Sequence, residues 1–108
     1  MNLELRSRGV RVTRELREHV EKRLHFALGR FADRLHRIRV DLQDVNGPRG
    51  GEDVGVRIRA EIHPGGVLIV DELRECPFSA VASASDRIGQ SVARRMKRVV
   101  TRRRRRSA

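Results

Sequence analysis

Apolar and polar residues alternate one for one in three stretches of this chain, run together in a fourth, and recur at three- and four-residue spacing in two others. Residues 2–8 place Leu3 and Leu5 on one side and Glu4 and Arg6 on the other, the period of a strand that Gly9 ends. Leu16, Val20, Leu24, Ala27, Leu28 and Phe31 then form one stripe of a helix running from about Arg14 to Phe31 or Asp33. Thr13 is placed to cap it, its hydroxyl accepting from free first-turn N–H groups, and Glu15 suits the helix dipole. In residues 36–45, Ile38, Val40 and Leu42 point inward, and Arg37, Arg39 and Asp41 outward. Residues 46–53 have the composition of a loop. Residues 54–62 alternate most cleanly, with Val54, Val56, Ile58, Ala60 and Ile62 set against Arg57, Arg59 and Glu61. His63-Pro64-Gly65-Gly66 reads as a tight reversal, with proline second and glycine third. A fourth strand follows over residues 67–73, whose four consecutive apolar residues leave its inward face open.

The second helix starts at Cys76-Pro77-Phe78, where proline costs no hydrogen bond. Phe78, Val81, Ser85, Ile88, Val92, Met96 and Val99 fall on one face. At about 100° per residue, Arg87, Arg94 and Arg98 cluster opposite, flanked by Arg95 and Lys97. The expected architecture is therefore α+β, in the order β-α-β-β-β-α. Three strands form an antiparallel meander, and two helices cover one face of a four-stranded sheet. The other face exposes Arg37, Arg39, Arg57 and Arg59 near Asp41 and Glu61. A chain of 108 residues is one domain, placed at 1–100. Beyond Val100 nothing apolar remains, so 101–108 is expected to be a basic tail, disordered until an anion binds it.

Charge changes this picture most. Residues 77–108 hold ten of the 25 Lys and Arg but one acid, Asp86, a balance of +9 out of a total of +11. A polyanionic partner follows, nucleic acid before membrane. The second helix carries Val, Ile, Ala and Met rather than the bulky side chains of a membrane-surface helix. The longest uncharged apolar run, residues 67–70, is far short of a membrane span. The N-terminal pattern carries no export signal, and a lone cysteine builds no disulfide framework, so the cytoplasm is the expected location. On the first helix, Arg14, Arg17, Lys22 and Arg23 interleave with Glu15, Glu18 and Glu21, which reads as a solvated, ion-paired surface.

No catalytic set emerges. His19, His25, His36 and His63 lack metal-ligand spacing and read as surface residues. Cys76 reads as a small, partly buried residue, and the carboxylates sit among arginines as ion pairs. No cofactor or small-molecule substrate is expected. With only Phe26, Phe31 and Phe78 as aromatics, two of them on apolar stripes, base reading by stacking is not expected. Phe26 falls off its helix stripe, so core edge and exposed contact both stay open.

Four segments resemble a known family, the ribosome hibernation factors of the hibernation-promoting factor and ribosome-associated inhibitor A group, also known as the sigma-54 modulation protein family. Val12-Thr13-Arg14-Glu15-Leu16-Arg17-Glu18-His19-Val20 is similar to the family's V-T-x-x-L-R-x-x-V opening of the first helix, and Phe31-Ala32-Asp33-Arg34 to its helix exit. The Gly65-Gly66 turn precedes the fourth strand as in the family. Phe78-Ser79-Ala80-Val81, then Asp86-Arg87-Ile88, is similar to Y-A-A-I-D followed by D-K-L. The likeness spans residues 2–99. Ser79, Ser83, Ser85, Gly89, the Cys76-Pro77 start and the all-arginine tail depart from it.

The resemblance implies the short form of a non-enzymatic protein with a fold similar to a double-stranded-RNA-binding domain carrying an added first strand. It implies binding to rRNA of the small ribosomal subunit in the decoding region, blocking mRNA and tRNA under stress or in stationary phase. It also implies rRNA contacts on the second helix, where Arg87 matches the lysine of D-K-L. The candidate RNA-binding residues are Arg87, Arg94, Arg95, Lys97, Arg98, Arg102 and Arg103. A monomer is expected. The alternatives are a protein-binding regulator of the sigma-factor-modulating type, using the sheet and the first helix, and a general structured-RNA binder.

Overall fold

Two helices lie across one face of a four-stranded sheet in the computed structural model of the chain, which describes residues 2–45 and 53–107, the side chains of Arg102, Arg103, Arg105, Arg106 and Ser107 excepted. The order is β1 (Asn2–Arg8), α1 (Arg14–Leu28), a 3-10 helix (Gly29–Arg34), β2 (Leu35–Asp44), β3 (Val54–Ile62), β4 (Gly66–Arg74) and α2 (Pro77–Ser107). The β-α-β-β-β-α order and the layering are those expected from the periodicities. The sheet order is β1-β2-β3-β4, with β1 parallel to β2 and the other pairs antiparallel. Only β1 and β2 need a crossover, and α1 supplies it.

Thr13 caps α1 as the sequence predicts, its Oγ1 accepting from the Leu16 N–H at 3.1 Å. The predicted stripe is the buried one: Leu16, Val20, Leu24 and Leu28 meet Ile38, Val40 and Leu42 of β2 and Val56, Ile58 and Ala60 of β3 in one core. The helix tightens into the 3-10 turn at Gly29, so Phe31 lies half-buried at the core margin. β4 turns Leu68, Val70 and Glu72 toward α2 and leaves Val67, Ile69 and Leu73 exposed. The predicted loop over residues 46–53 lies outside the described residues except for Asp53, whose carbonyl accepts from the Val45 N–H at 3.1 Å. In the β3–β4 turn the His63–Pro64 peptide is cis, and Gly65 has φ +134°, a conformation L side chains rarely adopt.

α2 is continuous to Ser107. The helix thus runs through 101–107, the segment read from the sequence as a tail beyond the core. Arginine is a good helix former, and cations near a helix C-terminus oppose its dipole. The last fully buried side chain among the described residues is Val92. Met96 and Val99 are half-buried, while Val100, Thr101 and Arg104 are exposed. The second half of α2 therefore runs out beyond the sheet, and the molecule is 59 Å long but 22 by 17 Å across.

Ser85 sits among Val81, Ala84 and Ile88 with its hydroxyl buried and without a hydrogen-bond partner. An unpaired buried hydroxyl costs about 1–3 kcal/mol. Ser85→Ala removes it with little change of volume and improves helix propensity, so thermal unfolding should show a gain of about 1 kcal/mol.

Candidate nucleic-acid interface

Three zones of α2 treat their cations differently. At the β4 end, Glu72 points inward with its side chain only 9% exposed and receives two arginines: Arg87 at 2.9 Å and Arg74 at 2.9 Å. Arg87 also donates to the Asp71 carbonyl at 2.8 Å, and Arg74 to the Ser83 hydroxyl at 3.2 Å. Across the helix pair, Arg23 of α1 holds Asp86 at 3.1 Å. The N-terminal half of α2 is thus charge-balanced within the chain. Arg87 remains half-exposed, yet its guanidinium clamps α2 to the edge strand.

The Arg87 guanidinium, with Arg74 beside it, holds the Glu72 carboxyl below its ordinary value of 4.5. A depressed carboxylate contributes stability above its unfolded value and loses it as pH falls through the folded one. Unfolding measured against pH should therefore show stability falling below about pH 4.5. Glu72→Gln should cost about 1 kcal/mol at neutral pH and flatten that acid limb.

Arg95 marks a correction. The sequence reading places it beside the outward cluster. Seven residues after Ile88 is nearly two full turns, which returns it to the inner side. There it is half-buried, its stem packs on Gly65, and its guanidinium donates to the Gly65 carbonyl.

Arg94, Lys97 and Arg98 are exposed, and Arg104 continues the same surface. Arg94 reaches the Ser91 hydroxyl at 3.5 Å, and none of the four pairs with a carboxylate among the described residues. No acid follows Asp86 in the sequence, so the field along this half of the helix is uniformly positive. Arg102 and Arg103 lie on the same helix, their side chains outside the described residues.

The arginines on the open sheet face are largely spoken for. Glu4 takes a hydrogen bond from Arg37 Nε at 3.0 Å and lies 3.5 Å from Arg39; the Arg37 bond holds its carboxyl below 4.5. Arg57 pairs with Asp71 at 2.8 Å and Arg59 with Glu61 at 3.1 Å. Between Val45 and Leu73, Gly55 floors a groove of about 810 Å³ on this face. On α1, Arg14 pairs with Glu18 at 3.1 Å.

Other expectations also shift. Phe26 is 84% exposed. Phe78, predicted on the apolar stripe, is 38% exposed because α2 has barely begun there; its carbonyl accepts from His19 Nε2 at 3.0 Å. Cys76 is exposed rather than partly buried, since it precedes the helix. Among the described residues no cluster of His, Cys, Asp or Glu could hold a metal ion, and no helix is long and apolar enough to cross a membrane.

Two cations beside this surface, Arg30 and Arg104, are absent from the sequence-predicted set. They share a cleft because α1 and α2 approach closely at Gly89, an approach signalled in the sequence by the small residues Ala80, Ala82, Ala84 and Gly89 in the first half of α2.

The fold has close structural counterparts. The Thermus thermophilus Protein Y N-terminal domain superposes with a TM-score of 0.71 at 28% identity, covering 87% of this chain and 98% of that one. A ribosomal subunit interface protein from Coxiella burnetii gives a TM-score of 0.71 at 18% identity, covering 87% and 96%. No curated protein matches the sequence. The model of the family described as sigma 54 modulation protein / S30EA ribosomal protein matches residues 3–104. Spanning nearly every residue of the two-layer fold, that match establishes that the chain belongs to the sigma 54 modulation protein / S30EA ribosomal protein family.

Proposed function

We propose that this chain is a non-enzymatic, cytoplasmic hibernation factor. It binds rRNA of the small ribosomal subunit in the decoding region as a monomer and blocks mRNA and tRNA access under stress or in stationary phase. The observation that carries the reading is the acid-free second half of α2, held beyond the sheet with Arg94, Lys97, Arg98 and Arg104 exposed and without a carboxylate partner among the described residues. Membership of a family described as sigma 54 modulation protein / S30EA ribosomal protein supports the choice of partner.

Within this reading the predicted residues divide in role. Arg94, Lys97 and Arg98 contact phosphates. Arg102 and Arg103 carry the same helix further into the RNA. Arg87 and Arg95 chiefly fix the helix on β4 and the Gly65 turn, with the exposed part of Arg87 as a secondary contact. Each phosphate contact releases counterions and steepens the salt dependence by about 0.7–0.9 log units per log unit of salt. Sedimentation with purified small subunits tests the proposal. The intact chain should pellet with them in a salt-dependent way; binding no better than an arginine peptide of equal charge would sink the reading.

A second reading rests on the open sheet face, where Val45 and Leu73, each more than half exposed, line the Gly55 groove and Ile69 is exposed further along β4. It is that of a protein-binding regulator of the sigma-factor-modulating type. It predicts a protein complex that survives nuclease and charge reversal of α2.

A further inference from the structure

Where α1 gives way to its 3-10 turn, a cleft of about 480 Å³ opens against the second half of α2. Its floor is apolar: Phe31 and Met96 are half-buried, and Val100 is 48% exposed. Its rim is cationic, formed by Arg30, Lys97 and Arg104, and no carboxylate lines it. Arg30 lies over the Phe31 ring, its guanidinium carbon 4.6 Å from the centroid. That contact places a planar cation over the ring at the cleft, and Arg30 is otherwise exposed. One turn before Arg30, the ring of Phe26 stands 84% exposed on the outer side of α1.

This combination is unlike the rest of the basic surface. Phosphates alone need cations and no apolar floor. An acidic peptide would pair with the N–H edges of the rim cations and leave the π-face of the Arg30 guanidinium unused. An unpaired nucleotide uses all three parts: a π-face for the planar cation, an apolar base edge for Met96 and Val100, and a phosphate for Lys97 and Arg104. The cleft is also large enough for one base with its sugar.

We propose that this cleft binds a single unpaired nucleotide of the RNA partner, its base stacked on the Arg30 guanidinium that Phe31 supports and its phosphate held by Lys97 and Arg104. The inference rests on the RNA-binding reading and deepens it. Recognition is then not of duplex backbone alone, as the scarcity of aromatics suggests, because an arginine takes the platform role.

Arg30→Lys tests it, since it keeps the charge and removes the plane. Binding of the intact chain and this variant to a labelled, unstructured RNA octamer would be compared with binding to an abasic octamer of equal charge. The intact chain should prefer the octamer with bases by about tenfold, and Arg30→Lys should lose most of that preference without changing abasic binding. Val100→Glu, on the cleft floor at an exposed helical position, should also weaken the base-bearing octamer selectively. Equal binding of the two octamers by the intact chain, or an unaltered preference in both variants, would overturn the proposal. Sedimentation with small subunits, run in parallel, keeps the two readings apart. Pelleting with subunits but indifference to bases rejects the cleft and leaves the ribosome reading. A base preference that depends on Arg30 without pelleting supports the cleft and rejects the ribosome.

Discussion

Replacing Arg94, Lys97 and Arg98 together by glutamate is expected to remove the protein from sedimenting small subunits at near-physiological salt while leaving its fold intact. All three side chains are exposed and unpaired with carboxylates, so the core and the β4 clamp do not register the change. Arg98→Glu gains an opposite charge at Arg102 one turn on, while positions 94 and 98 still carry like charges, so the melting temperature should change little. Binding is another matter. Losing three phosphate contacts flattens the slope of log affinity against log salt by about 2–3. At about 0.15 M salt the lost counterion release alone corresponds to about two log units of affinity, before any repulsion from the new carboxylates. Arg87 is left out of this variant on purpose. Changing it would strip Glu72 of a partner and confuse unfolding with loss of contact. A variant that still pellets like the parent would show that the second half of α2 is not the interface.

The two kinds of residue on α2 show what a sequence can and cannot tell. Periodicity alone places Val81, Ile88 and Val92 against the sheet, because burial repeats with the helix and needs no partner to be known. The basic surface is legible for a similar reason: no acid follows Asp86, so wherever the helix points its charge is positive. Which cations are free is not legible. Arg87 and Arg94 both belong to the outward cluster on a helical wheel, yet one is bound by Glu72 of the neighbouring strand and the other by no carboxylate. That difference depends on β4 turning Glu72 inward, and the run of apolar residues over 67–70 hides which way β4 faces. Likewise Arg30 and Arg104 are 74 positions apart and meet across a cleft that exists only because two helices come close. Family likeness reaches the fold by a separate route and agrees with the periodicity, but it says nothing of these departures.

That close approach makes Gly89 a position where a single bulky substitution should be costly. A Cβ built there would lie 3.1 Å from both the Cβ and the carbonyl oxygen of Ala27, on the facing helix. Glycine inside a helix gives up about 1 kcal/mol relative to alanine, so its presence in the middle of α2 has to be offset by packing. Gly89→Ala tests the balance gently: the propensity gain works against a contact that needs a shift of a few tenths of an ångström, and the net change should be small. Gly89→Leu admits no such compromise. Three further heavy atoms must enter a space closed by helix backbone, so α1 and α2 must move apart and open the layer holding Leu24, Leu28, Ile88 and Val92. Overpacking of this kind costs about 1–3 kcal/mol, and the rigid backbone on the far side puts the expected loss near 3. In a domain of this size that lowers the melting temperature by about 10–20 °C. The same separation would widen the cleft between Arg30 and Arg104, so any Gly89→Leu protein that stays folded should lose base preference before it loses salt-dependent binding. An unchanged melting temperature in Gly89→Leu would mean that the helices are not as close as Ala27 and Gly89 place them.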